Sequence, residues 1–205
     1  MRRITCLTAL TLVLSASAVV AQPTFTPSFN APYRAFESHE FGGTFSFPDG
    51  GRDFAIEGQY RQGFGNWDLG VRAGVFDSEG SSEADTGGSS EFIMGVEGRV
   101  RVLDHERHDF PLDGAIVLGV GTAEFDAWTV PSAGLSLGRR VNVDDFSFVL
   151  YGQPTMFLFT NGDSDVEFGL GLGSDFKVGD AIDLRLSLGV FEGPEGLAVS
   201  VVWVR

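Results

Sequence analysis

The sequence predicts an all-β fold: a closed antiparallel up-and-down transmembrane β-barrel of about ten strands, with eight as the alternative count. Three observations carry this. From about residue 35 onward apolar and polar residues alternate with period two, and no segment shows helical periodicity. Most alternating segments span ten residues or more, longer than the ~5–6 of an ordinary globular strand and close to the ~9–11 that cross a bilayer at a tilt. The polar side of the alternation is Gly, Ser and Thr interspersed with charges of both signs, and Lys177 is the one lysine in the chain. A water-facing surface normally carries many.

The first strand, 36–47, ends at the turn residues Pro48-Asp49-Gly50-Gly51. In the second, 53–62, Phe54, Ile56, Gly58 and Tyr60 oppose Ala55, Glu57, Gln59 and Arg61. Gly63-Phe64-Gly65-Asn66 leads to the third, 67–77, where Trp67, Leu69, Val71, Ala73 and Val75 oppose Asp68, Gly70, Arg72 and Gly74. After the Ser-, Gly- and Asp-rich run 77–90, the fourth, 91–103, sets Phe92, Met94, Val96, Gly98, Val100 and Val102 against Ile93, Gly95, Glu97, Arg99 and Arg101. The fifth, 113–124, and sixth, 131–141, are the least regular: Ile116 to Val120 is apolar on both faces, and Ala133-Leu135-Leu137 is short. These two leave eight strands as the alternative. The seventh, eighth, ninth and tenth, at 146–159, 165–177, 181–191 and 196–204, follow turns rich in Asn, Asp and Gly, and the last of those turns adds Pro194.

At 205 residues the chain is one domain's worth, and its net charge is −14. That balance argues against nucleic acid and anionic lipid surfaces as partners, because both need clustered Lys and Arg. Residues 1–21 read as a secretory signal peptide: Met1-Arg2-Arg3, an apolar stretch Ile4 to Val20, and Val19-Val20-Ala21 as a small-residue cleavage site before Gln22-Pro23. A membrane anchor is the competing reading. Thr5, Thr8, Thr11, Ser15 and Ser17 break the apolar stretch and weigh against it. Cys6 leaves with the leader, so the mature chain has no disulfide framework. Residues 22–34, with Pro23, Pro27 and Pro32, are expected to be an extended lead-in and not a strand, and 35–205 to form the barrel.

Alternation does not say which face is inside, since a soluble barrel buries its apolar face and a membrane barrel exposes it to lipid. The paired charges suit a narrow polar lumen. Aromatics near strand ends (Phe45, Phe47, Trp67, Phe76, Phe92, Phe125, Trp128, Phe146, Phe157, Phe159, Phe191 and Trp203) suit interfacial girdles. The lumen-lining candidates are therefore Glu57, Arg61, Asp68, Arg72, Glu97, Arg99, Arg101 and Arg185, with Asp183 on the same face.

The leader, the Gly-rich alternating strands without cysteine, and the closing strand Leu197-Ala198-Val199-Ser200-Val201-Val202-Trp203-Val204-Arg205 resemble the small outer-membrane β-barrel proteins of Gram-negative-type bacteria, the OmpA/OmpX-like kind. The likeness covers the whole mature chain as a pattern. It implies an outer-membrane location, lipid as the surrounding partner, a monomer, both termini on the periplasmic side, and a C-terminal strand read by the barrel-insertion machinery. Members usually end on a terminal aromatic, whereas this chain places Trp203 two residues before its end. Loops 48–52, 78–90, 125–130, 160–164 and 192–195 would then face outward, and the turn 104–111 is about as long as most of them.

No catalytic, metal or cofactor site is expected. His105-Glu106-Arg107-His108 spaces its histidines three apart, not the four of the metalloprotease helix, and a solvated turn explains it. Ser38-His39-Glu40 places neighbours on opposite faces of a strand, so it is no triad by itself. Asp163-Ser164-Asp165-Val166-Glu167 begins like a calcium loop but has Phe168 where that loop needs Gly. Gly119-Val120-Gly121 and Gly169 to Gly173 are followed by no helix and are not nucleotide loops. The functional reading is a non-catalytic outer-membrane barrel with a structural, surface or narrow-pore, porin-like role. Its alternatives are a secreted soluble barrel or sandwich that binds an apolar ligand, and a barrel-embedded lipid-modifying enzyme or protease.

Overall fold

In a computed structural model of the chain, ten strands run β1 (His39–Pro48), β2 (Arg52–Gly63), β3 (Trp67–Ser78), β4 (Ser89–Leu103), β5 (Asp113–Ala123), β6 (Trp128–Val143), β7 (Phe146–Asn161), β8 (Asp163–Lys177), β9 (Ile182–Phe191) and β10 (Gly196–Val204), with a single-turn helix α1 (His105–His108) between β4 and β5. The structure describes residues 24, 26–32, 36, 38–48, 52–78, 89–123, 128–144, 146–161, 163–191 and 194–205. The leader 1–21, Phe125, and most of the acidic run between β3 and β4 lie outside these.

Every strand pairs antiparallel with its chain neighbours, and β1 pairs with β10 from Glu40 opposite Val204 to Pro48 opposite Gly196. The sheet is thus a closed ten-strand up-and-down barrel, and no described strand leaves an unpaired edge. His39 and Arg205 exchange two backbone hydrogen bonds of 2.8 Å at the end of this seam. Four connections share that end with the seam: the turn at Phe64–Asn66, the segment carrying α1, the turn at Asp144, and the turn at Val178–Ala181. The five segments expected to face outward connect strands at the opposite end.

The faces are arranged as the alternation requires. Ile56, Val71, Leu118, Leu150, Leu172, Leu186 and Val201 form an exposed apolar belt outside, while Glu57, Arg61, Asp68, Arg72, Glu97, Arg99 and Arg185 are each at most 5% exposed. Aromatic rings gather near both rims. Phe45 stacks on Phe54 at one end, and Phe64 on Trp67, Phe41 on Trp203, and Phe146 with Phe148 and Phe176 at the other.

Three expectations are corrected. The first strand starts at His39 and not at 36, because Phe36 turns inward, fully buried beneath the guanidinium groups of Arg99 and Arg101 at 5.4 and 4.8 Å. Phe76 and Phe157, expected in the girdles, point inside. They share the parity of Arg72 and Gln153 on their strands, and Phe76 packs with Ala55 and Ile93. The segment 104–111 contains a helical turn: Asp104 caps it by accepting the Glu106 amide at 3.1 Å, and Asp109 ends it at φ 51°. Arg101, another lumen-lining candidate, is partly enclosed and borders a cavity at the seam end.

Candidate functional site: the barrel lumen

Two charged clusters line the lumen. On β2–β4, Asp68 accepts from Arg61 at 2.5 Å and pairs with Arg99 at 2.7 Å, while Arg61 also pairs with Glu97. Asp68 and Arg61 sit at either end of the tight β2–β3 turn, and β4 carries Glu97 and Arg99 on its inner face. Alternation on three adjacent strands brings all four together. The guanidinium of Arg61 occupies space that a side chain on Gly70 would need, with 2.7 Å between Arg61 Cζ and the position of a Cβ there. Across the lumen, Arg185 on β9 grips Asp175 on β8 with two bonds of 2.8 Å and reaches Glu40 on β1 at 3.6 Å.

Arg72 completes the set in a different way. Its charge faces Glu57 and Glu97, yet its guanidinium nitrogens have no hydrogen-bond partner among the described residues. Of the sequence candidates, Arg61, Asp68, Glu97 and Arg99 form one network, Arg185 belongs to the other, and Glu57 binds neither.

The lead-in joins the two clusters. Its described residues run inside the barrel: Thr24, Thr26, Ser28, Phe29, Asn30 and Ala31 are at most 2% exposed. Thr26 donates to Glu57 at 2.5 Å. The Phe29 amide donates to Ser187 Oγ at 3.4 Å, and its carbonyl accepts from Tyr151 OH at 2.9 Å. The Asn30 side chain accepts from Arg185 and donates to Glu97 at 3.3 Å, so one amide bridges both charge clusters; its carbonyl accepts from Ser136 at 3.0 Å. Arg99 donates to the Ala31 carbonyl. Phe29 and Ala31 pack with Val149 and Tyr151.

Sequence reasoning missed these strap residues, and with them Glu40, Tyr151, Asp175, Ser136 and Ser187. A signal existed. The inner positions of β6 are Val130, Ser132, Gly134, Ser136 and Gly138, and Gly171 and Gly173 are inner positions of β8, a wall too slender to fill a ten-strand interior.

At the seam end lies a polar cavity of about 590 Å³, lined by Ser38, Arg101, His105, Asp113 and Arg140 among others. Asp113 accepts from His105 Nδ1 at 2.9 Å. His39 points outward and Glu40 inward, so Ser38-His39-Glu40 is split between faces. Among the described residues no three His, Cys, Asp or Glu side chains are grouped to hold a metal ion. No protein-family model matches the chain, and no curated protein matches it.

Proposed function

We propose that this is an outer-membrane β-barrel protein of the OmpA/OmpX-like kind, exported by its N-terminal leader, with a structural or surface role and no catalysis. The observation that carries this reading is the inversion of polarity: an apolar belt of Ile, Val and Leu faces out, and ion pairs fill the interior. In water that arrangement would expose a continuous hydrophobic surface far beyond the few hundred Å² tolerated by soluble monomers. In a bilayer it satisfies every strand, since closure leaves no unpaired backbone edge for lipid to meet. The rival soluble barrel needs an apolar interior for its ligand, and this interior is charged.

Cell fractionation combined with heat-modifiable gel migration tests the proposal. Recovery in the outer-membrane fraction as a form that shifts on boiling is expected, and a protein that stays monomeric in plain buffer would sink it.

The enzyme reading has one specific observation behind it: Ser38, His105 and Asp113 border the same cavity, and Asp113 fixes His105 by its Nδ1. Ester or peptide hydrolysis by the folded protein that vanishes in Ser38→Ala and His105→Ala would establish it in place of the structural role.

A further inference from the structure

We propose that the lumen is a binding site for an extended peptide, that the chain's own strap around Phe29-Asn30-Ala31 is its occupant, and that this strap holds the barrel closed. The proposal rests on the membrane reading above only through its readout, which is ion flow.

Three observations converge on it. First, the wall addresses the strap as a peptide. Within three consecutive residues, Tyr151, Ser136 and Arg99 each donate to a backbone carbonyl, Ser187 accepts a backbone amide, and Arg185 and Glu97 clasp the one amide side chain. Contacts to successive carbonyls read an extended main chain, and the clasp on Asn30 adds selectivity for a residue that is donor and acceptor at once. Second, the wall bears the strap's imprint. The Phe29 ring fills the space a side chain on Gly171 would need, and the three atoms nearest that position all belong to the ring. Remove the strap and those neighbours go with it. Third, the barrel is complete without it. All ten strand pairings run between strands, and the strap joins none of them. Eight strands make a barrel whose own side chains just fill it, and two more widen the interior roughly in proportion. Here the strap takes up that width.

Ion flow through the full-length protein in planar bilayers tests this, with Cys6→Ser as background so that added cysteines are the only ones. The unaltered chain is expected to be silent. Phe29→Ala/Asn30→Ala is expected to raise the current by about tenfold or more, as an equilibrium between seated and released strap loses its main anchors. A Phe29→Cys/Gly171→Cys pair, chosen because a Cβ on Gly171 would lie against Cγ of Phe29, is expected to stay closed when oxidised and to open on reduction, with thiol labelling to confirm the bond. If the alanine variant migrates as a folded, heat-modifiable species and remains silent, the wall itself closes the lumen and the proposal fails. A reductant-insensitive current in the bonded cysteine variant overturns it too, as does a steady current in the unaltered chain. Failure of the membrane reading looks different: no variant inserts or shows heat-modifiable migration.

Discussion

The wall of β2–β4 and the wall of β6–β8 solve the same problem in opposite ways. The first fills its share of the lumen with its own side chains, Arg61 and Arg99 knit with Asp68 and Glu97 into one network and Arg72 and Glu57 buried beside them. In the second, the small inner residues Ser132, Gly134, Ser136 and Gly138 of β6 and Gly171 of β8 flank the inner side chains of β7, Val149, Tyr151, Gln153 and Phe157, and leave a hollow over Gly171. The strap lies between them and matches each side. Phe29 with Ala31 and Pro32 packs against the hollow wall, which also holds the Phe29 and Asn30 carbonyls through Tyr151 and Ser136, while Thr26–Glu57, Asn30–Glu97 and the Ala31 carbonyl to Arg99 tie the strap to the charged one. A barrel interior can thus be asymmetric across its axis while its strands are uniformly paired.

If the charged wall is a self-contained network, breaking it at its hub has the largest effect. Asp68→Ala leaves Arg61 and Arg99 buried without their shared carboxylate, a change worth about 3–5 kcal/mol. The temperature at which the folded band disappears in a heat-modifiable gel should fall accordingly, and an unchanged midpoint would show that the network does not hold the wall. Next comes the outer face, which both walls share. Leu118→Arg places a charge in mid-belt and should cost about 2–4 kcal/mol in a bilayer. Urea titration of the protein refolded in vesicles measures it, and a negligible difference would place that belt in water.

The hollow wall is probed by filling it. Gly171→Val competes with the Phe29 ring and should destabilise by about 1–3 kcal/mol. Gly58→Val, on the outer face where the nearest atom to a Cβ is 3.9 Å away, is the control for the same substitution without the ring contact. Equal midpoints for the two variants would mean that the imprint of the strap is incidental. The smallest effect is expected at the mouth, where His105→Ala removes a partly exposed pair with Asp113 and should change stability by no more than about 1 kcal/mol. A larger loss, followed by the same gel assay, would give α1 a structural role beyond its own turn.

Strand number and the inward charges of β2, β3 and β4 were legible because each depends on period two and on turn residues, both local properties. Phe76 and Phe157 were equally legible. Their parity places them inside, and grouping them by aromatic character instead misplaced them. The strap was not legible in the same way. Thr26 and Glu57 are 31 residues apart, and Asn30 and Arg185 are 155 apart. Three prolines announce an extended chain without saying what it lies against. Only the slender wall hinted that something else had to occupy the interior, and that inference requires the barrel first.

The seam between β1 and β10 also has a kinetic meaning. Glu40 meets Val204 across nearly the whole chain, so its loop-closure entropy is the largest of any pairing and its formation belongs late in folding. Until then both outer strands present open backbone groups, and the half-curled sheet can pair with a neighbouring copy instead of with itself. Asn30, tied to Glu97 on β4 and Arg185 on β9, draws the two halves of that sheet toward each other. A segment whose place in the finished barrel is to fill space would therefore also shorten the interval during which the protein is vulnerable to aggregation.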